Sequence, residues 1–393
     1  MARIKLESIE AATKNLKQIL TVSTHILSNR FYSLLTFIHA TFGFCLLGYS
    51  VYYFRNSPEE LAQVVYYMGI CVAVIVTTII GYVPSYRSRN VLEDSYHTYD
   101  YQSEIMRKKI DEVKESCVKS LKGFFKTIVF LMVWVSFNLT AMTILVGLIK
   151  QEPIYLFPCW HPFDINNIIF QILILLWQQY FLSTMIFMAF GGGSMLFIPY
   201  THIKSEISLL KYALKKVEAR AHEMARTRKA SNVGSVKSKV LSECYKECVK
   251  MCVEHHIEIL GYFYRGKRLT GIIYTTGFFS GVIACTFGGY NINSENLALK
   301  FKNLAILFFI LGYLFAMFWI ADATTTEFLT IAQTVFEVKW YELPKECQST
   351  LQFMVFMSNQ PLFYKLVLGQ KVNMEAYMSL VKATYYYLNF LTA

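Results

Sequence analysis

Seven apolar runs, each about 20 residues or longer, dominate the sequence. About 20 apolar residues in an α-helix are needed to cross the roughly 30 Å of hydrocarbon in a bilayer. The chain is also 54% hydrophobic and only 17% charged, which is too apolar for a soluble protein of this length. The sequence therefore predicts an all-α membrane protein with seven transmembrane helices, at about residues 31–54, 61–83, 124–149, 167–198, 270–290, 303–323 and 374–393.

The Lys and Arg residues are distributed unevenly between the two sides of the predicted membrane. Of 38 such residues, 4 fall in the connections on one side and 32 fall on the other, in segments 1–30, 84–123, 200–269 and 324–373. Basic residues accumulate on the cytoplasmic side of membrane proteins, so we expect a cytoplasmic amino terminus and an extracellular carboxyl terminus. The net charge of +11 follows from this topology. We therefore expect a lipid bilayer, and no nucleic acid, as a partner.

The connections on the basic side are long enough to fold. Segment 200–269 is predicted to form cytosolic amphipathic helices with a mobile loop at 225–239, because apolar residues recur on one helix face there. Such apolar faces need a partner, and self-assembly below the membrane supplies one. The predicted parts are the cytoplasmic amino terminus 1–30, transmembrane helices 1–4 in 31–199, the cytosolic helices 200–269, transmembrane helices 5–6 in 270–323, a cytosolic anchor segment 324–373, and a seventh transmembrane helix 374–393.

The carboxyl-terminal fifth of the chain carries several short motifs followed by a helix with an aromatic pattern. The motif and helix residues are Trp340, Tyr341, Leu343, Pro344, Pro361, Leu362, Gly369, Lys371, Thr384, Tyr385, Tyr387 and Leu391. They resemble the Trp-Tyr-x-Leu-Pro, Pro-Leu and Gly-Lys steps and the last helix of insect odorant receptors. The chain departs from the family at Asn359-Gln360 and at Tyr386. The related gustatory receptors share Thr384-Tyr385 but carry a later Gln-Phe that is missing here. A gustatory receptor subunit and a seven-span receptor without a pore remain alternative readings.

The resemblance implies a subunit of an odorant-gated, non-selective cation channel that binds small volatile molecules. Family members form tetramers around one pore, in which odorant-tuning subunits combine with a co-receptor subunit. The co-receptor has a longer insertion between the fourth and fifth spans, so segment 200–269 here resembles that of a tuning subunit. The resemblance also implies a multi-pass protein in the plasma membrane of a sensory neuron, and a pore lined by the seventh helix.

One face of the seventh predicted helix is the candidate pore wall. At 100° per residue, Tyr377, Val381, Thr384 and Leu388 share that face, with Leu391 and Thr392 beside it. A ring of four Leu388 side chains, at the position that resembles the family's apolar gate, would close a pore by dewetting. The alternative is that this stripe only packs against other helices.

A site for a volatile molecule should be an apolar pocket with a few polar groups between the outer halves of the spans. The candidate residues are Gln63, Tyr66, Tyr67, Asn138, Ala141, Met142, Gln178, Phe278, Phe279 and Phe308, each of which has packing between helices as its alternative role.

Catalysis, cofactors and metals have little support in the sequence. No GxSxG, HExxH or phosphate-binding loop is present, so we expect neither an enzyme nor a cofactor. Cys244, Cys248 and Cys252 lie on one helix face, but their spacing spreads them over about 12 Å, too far for one metal ion. We therefore expect no metal site.

Overall fold

The protein is built almost entirely from helices, several of them very long. The computed structural model describes residues 30–82, 98–150, 155–161, 167–231, 237–293 and 297–392. Within these residues the helices are α1 (Arg30–Tyr53), α2 (Pro58–Tyr82), α3 (Glu104–Lys150), α4 (Ile168–Lys215), α5 (Val217–Ser231), α6 (Lys237–Tyr290), α7 (Leu297–Glu337), α8 (Lys345–Ser358) and α9 (Met374–Thr392). The predicted cytoplasmic segment 1–30 lies outside the described residues except for Arg30.

Six of these helices are long and apolar enough to cross a membrane, namely α1, α2, α3, α4, α6 and α7. Apolar side chains such as Val133 and Phe137 on α3 are exposed on the outside of the bundle, where a bilayer would cover them. The prediction of an all-α membrane protein is thus confirmed. The seventh span, α9, is less apolar and carries Glu375 and Lys382, so the count of seven and the orientation stay predictions.

The long helices continue beyond the predicted spans. α3 begins at Glu104, about five turns before the predicted span at 124, and α7 runs past 323 to Glu337. α6 is one uninterrupted helix that contains both the second predicted cytosolic helix and the fifth span. The predicted loop 225–239 is shorter than expected, because α5 extends to Ser231 and α6 begins at Lys237; residues 232–236 lie outside the described residues.

α2 lies at the centre of the membrane bundle. It packs between α1 and α6, and its inward face is fully buried at Val64, Cys71 and Val74. α4 packs against α3, α6 and α7. The start of α4 is fixed by Asn167, whose side-chain oxygen accepts a hydrogen bond of 3.0 Å from the Ile169 amide.

Below the membrane bundle, α4, α5 and α6 enclose a group of buried polar side chains, here called the Glu206 cluster (Tyr99, Tyr101, Glu206, Arg220 and His255). His255 Nε2 lies 2.9 Å from the Glu206 carboxylate, and His255 Nδ1 lies 2.7 Å from the Tyr101 hydroxyl. The Tyr99 ring stacks on His255 with 4.6 Å between ring centroids, and the Arg220 guanidinium lies 4.4 Å from the Tyr101 ring. These contacts tie the segment before α3 to α4, α5 and α6.

The cysteines considered as metal ligands are packing residues. Cys244, Cys248 and Cys252 are fully buried on the face of α6 that packs against α5, and Arg220 Nη1 lies 3.5 Å from the Cys252 sulfur. Within the part of the chain that the structure describes, no group of three metal-binding side chains comes together.

Candidate ligand-binding cavity

A cavity of about 460 Å³ lies between α2, α3, α4, α6 and α7. This volume falls in the range of small-molecule sites in proteins. Most of its wall is aliphatic or aromatic, and the side chains that line it include Tyr66, Tyr67, Ile70, Val74, Trp134, Leu139, Phe181, Met185, Ile186, Ile273, Ile306, Phe309, Tyr313, Leu314 and Met317. The cavity, here called the transmembrane cavity, therefore suits a small apolar molecule.

Two glycines one helical turn apart on α6 bring α7 close to the cavity. A Cβ atom at Gly277 would lie 3.1 Å from Met317 Cε, and one at Gly281 would lie 2.6 Å from Leu314 Cδ1. The absence of side chains at these two positions lets Leu314 and Met317 pack directly on α6, and both side chains line the cavity. The spacing of these glycines thus places part of α7 at the cavity wall.

Few polar atoms face the cavity, and most of their hydrogens are already engaged. The hydroxyls of Thr77, Thr276 and Ser280 donate to backbone carbonyls one turn earlier, at 2.7–2.9 Å. Asn138 Nδ2 donates to the Trp134 carbonyl at 2.7 Å. Hydroxyl oxygens that donate can still accept, so these groups remain able to pair with one or two donors of a ligand.

The segment 155–161 lies against one end of the bundle beside the cavity. Gln178 on α4 accepts a hydrogen bond of 2.6 Å from the Leu156 amide and donates one of 2.9 Å to the Phe157 carbonyl. Lys302, at the start of α7, donates to the Leu156 carbonyl. The Phe157 ring packs on Tyr67, with 4.6 Å between ring centroids. Tyr67 and Lys302 also line the cavity, so this segment packs on two residues of the cavity wall.

Three of the ten residues predicted to bind the ligand line the cavity: Tyr66, Tyr67 and Asn138. Their rings and amide come from α2 and α3, which contain the second and third predicted spans. Whether they contact a ligand stays a prediction.

The other seven predicted residues do not line the cavity. Gln178 is fully buried, but both of its polar atoms bind segment 155–161 rather than the cavity. Phe308 is 69% exposed and Phe279 46% exposed on the outside of the bundle, and Phe278 packs against Phe318. Gln63 is buried and Ala141 exposed away from the cavity, and the side chain of Met142 lies outside the described residues.

The predicted pore-lining stripe of α9 lies along the edge of its packed face. The Tyr377 ring contacts Phe315 and Phe318 on α7, and the Leu388 side chain approaches Gly289 on α6. Val381 and Thr384 are half-buried, Leu391 is 39% exposed, and the side chain of Thr392 lies outside the described residues. Within one subunit, Tyr377 and Leu388 therefore act in packing, and the pore-lining role stays a prediction.

The opposite face of α9 is exposed, and half of its residues named below are aromatic. Met378, Lys382, Tyr385, Tyr386, Asn389 and Phe390 all lie on the surface of the single chain. Exposed aromatic residues in such a row are typical of a surface that contacts another protein or lipid.

Sequence reasoning missed several cavity residues, including Thr77, Thr276 and Ser280. The sequence did contain an indication of these residues, because a polar residue inside an apolar span usually faces the interior of a helix bundle. Lys302 was assigned to an outer connection, whereas the structure places it on α7, where it lines the cavity and donates to the Leu156 carbonyl.

Comparison with known proteins identifies the family. The chain matches the family model described as 7tm Odorant receptor over residues 57–385. It is similar in structure to the insect olfactory receptor OR5 from Machilis hrabei in complex with eugenol, with a TM-score of 0.76, 14% identity and 98% of each chain covered. A second structure of OR5 from Machilis hrabei, for which no eugenol is named, gives a TM-score of 0.73, 15% identity and 96% coverage of each chain. No curated protein sequence matches the chain. The structural likeness concerns the fold, whereas the family model covers most of the sequence, and the chain therefore belongs to the 7tm odorant receptor family.

Proposed function

We propose that this odorant receptor is a subunit of a tetrameric, ligand-gated, non-selective cation channel in the plasma membrane of a sensory neuron. A small volatile molecule binds in the transmembrane cavity, and α9 forms the pore wall as a seventh span. The amino terminus is cytoplasmic, the carboxyl terminus extracellular, and a co-receptor subunit completes the tetramer. The family match and the bias of basic residues support this assignment.

The transmembrane cavity is the observation that carries the proposal. It is enclosed by five helices, it is apolar, and it offers a few hydrogen-bond acceptors, which together suit a small volatile molecule. The similar receptor from Machilis hrabei is described in complex with eugenol, which supports a small organic odorant as the ligand class.

A chain of aromatic contacts connects the cavity to α9. Met317 lines the cavity, and its neighbour Phe318 is fully buried on the same helix. The Phe318 ring lies 6.0 Å from that of Tyr274 and 6.2 Å from that of Tyr377 on α9. A ligand that moves Met317 would therefore move the packing under α9. For such a ligand to open the channel, it must bind the open arrangement more tightly than the closed one.

The exposed face of α9 supports assembly with other subunits. Tyr386 is 69% exposed and Phe390 81% exposed in the single chain, and neighbouring subunits would cover these rings around a central pore. In that arrangement the half-buried stripe of Val381, Thr384 and Leu388 lies at the border between the subunit's own bundle and the pore.

Whole-cell current in cells that express this chain, with and without an odorant co-receptor, tests the proposal. We expect cation current evoked by volatile molecules, a shifted baseline or leak in Leu388→Ala, and a roughly 100-fold higher half-maximal odorant concentration in Ser280→Trp. Phe279→Trp, one residue away on the outside of α6, is the matched control and should respond normally. Absence of current with every partner, despite surface expression, would contradict the channel assignment, and a normal response in Ser280→Trp would contradict the cavity assignment.

A further inference from the structure

The segment between α8 and α9 forms a small hairpin with an apolar tip. Lys365 pairs with Lys371 across it in an antiparallel bridge, and the Val372 amide donates to the Tyr364 carbonyl at 3.0 Å. The turn ends at Gly369, whose φ of +89° favours glycine. Val367 is 69% exposed and Leu368 77% exposed at the tip. An apolar tip on the surface of a hairpin needs an apolar partner.

The hairpin docks where two spans meet the cytosolic side. The Leu362 carbonyl accepts a hydrogen bond of 2.7 Å from Thr325, just past the end of the predicted sixth span. The Lys365 carbonyl lies against Gly271, and the Val367 amide donates to the Thr275 hydroxyl at 2.8 Å. Thr275 is four residues, or about 6 Å, further into the fifth span than Gly271. The lysines thus lie at the edge of the span and the apolar tip lies deeper.

The two lysines form a concentrated positive site. Residues paired directly across an antiparallel bridge carry their side chains on the same face, and like charges in such a pair are destabilising. Both ammonium groups also approach one ring, with Lys371 Nζ 4.6 Å and Lys365 Nζ 5.7 Å from the Phe363 centroid. Neither lysine forms an ion pair with any side chain among the described residues. A bound anion would remove the repulsion.

From this arrangement we propose that the hairpin binds an anionic phospholipid of the cytoplasmic leaflet. Lys365 and Lys371 contact the headgroup phosphate, and Val367 and Leu368 lie among the acyl chains. The choice of the cytoplasmic leaflet rests on the membrane orientation given under the proposed function, whereas the contact between lysines and phosphate does not depend on it. Basic residues next to spans attract the anionic lipids of that leaflet.

The lipid would also act on the proposed pore helix. α9 begins at Met374, directly after the hairpin, and Asn373 Oδ1 accepts a hydrogen bond of 3.0 Å from the Ala376 amide at its first turn. Tyr364 and Leu366 of the hairpin are buried in the bundle, so its position is rigidly transmitted to the start of α9. Anionic lipid would therefore hold α9 at a fixed depth.

Lipid retention by the purified full chain tests the site without any odorant or current, so its failure is distinct from failure of the channel proposal. Native mass spectrometry after incubation with phosphatidylserine or phosphatidylcholine counts the bound lipids. In the double variant Lys365→Gln/Lys371→Gln, the affinity for phosphatidylserine should fall roughly 25-fold, which is about fivefold for each lysine. The control Lys339→Gln/Lys345→Gln, which removes two other exposed lysines, should retain it.

Two further experiments distinguish a bound lipid from free phosphate and from a second protein chain. Excess inorganic phosphate should not displace phosphatidylserine, because the apolar tip contributes to binding. A photo-crosslinker, p-benzoylphenylalanine, in place of Leu368 should give an adduct of lipid mass. Equal retention by wild type and the double variant, equal loss in the control, displacement by phosphate, or a crosslinked band of two chains would each overturn the proposal.

Discussion

The transmembrane cavity and the Glu206 cluster are both built on α4 and α6, yet their polar side chains differ in their hydrogen-bond partners. In the cavity, Thr276 and Ser280 bond to their own helix and leave open space beside them. In the cluster, Glu206 and His255 bond to each other across two helices and are almost completely buried. Buried polar groups that depend on each other fix one arrangement, whereas groups satisfied by their own helix leave the packing around them adaptable.

This difference fits the tasks proposed for the two regions, which are ligand binding in the cavity and assembly around the cluster. A site for small volatile molecules needs space and tolerance, because its ligands offer little beyond shape and a few polar atoms. An assembly region needs a single rigid geometry. The comparison predicts that substitutions in the cluster change stability, and that substitutions in the cavity change response to ligand.

The largest effect is expected from Glu206→Leu, which leaves His255 Nε2 and the Tyr99 amide without their partner, while His255 Nδ1 keeps Tyr101. Each buried polar group left without its partner costs about 1–3 kcal/mol. The purified variant should show a clearly lowered melting temperature, and little of it should reach the cell surface. The control Glu254→Gln, on the exposed side of α6, keeps an acceptor for the Tyr99 hydroxyl and should stay within about 0.5 kcal/mol of wild type. Normal stability of Glu206→Leu would show that the cluster does not fix the assembly region.

Next in size is Ser280→Trp, which fills the cavity without touching the cluster. The concentration of odorant for half-maximal current should rise roughly 100-fold, because the pocket no longer accommodates the ligand. The melting temperature should change much less than in Glu206→Leu. A variant that loses stability instead of odorant response would erase the distinction between the two regions.

A smaller effect is expected from Gln178→Leu at the border of the cavity. The Leu156 amide and the Phe157 carbonyl would lose their partner, at a cost of about 1–3 kcal/mol. Hydrogen exchange at the Leu156 amide should become faster. In Gln179→Leu, one residue further on α4, the exchange at Leu156 should be unchanged. Equal exchange in both variants would mean that Gln178 does not hold segment 155–161.

The smallest effect is expected from Phe308→Ala. Phe308 lies on the outside of α7, so the half-maximal odorant concentration should stay within about threefold of wild type. A large shift would mean that the ligand binds on the outer face of the bundle rather than in the cavity.

The sequence was sufficient for the class of fold and for six long apolar helices, because apolar runs of about 20 residues are typical of membrane-spanning helices. It predicted less of the cavity. Tyr66, Tyr67 and Asn138 were found because polar and aromatic residues in spans are conspicuous, but Phe279 and Phe308 were chosen by type, and their direction depends on how α6 and α7 rotate. That rotation is set by contacts such as Gly281 with Leu314, which connect residues far apart in the chain.

Gln178 shows a second limit. Its position inside an apolar span correctly indicated a polar contact, but the partner was a backbone segment some 20 residues earlier rather than a ligand. Hydrogen-bond capacity can be read from a side chain, whereas the partner depends on the path of the intervening loop.

α6 contains 54 residues in one helix, a length of about 80 Å. Its lower half carries His255 and its upper half carries the wall of the cavity, so both regions are attached to the same rod. A tilt of the whole helix to admit a molecule would also displace His255, which is hydrogen-bonded to Glu206 and Tyr101. Under the proposed gating, the movement that a ligand causes would pass instead to α9, which has only 19 residues and contributes no side chain to the Glu206 cluster.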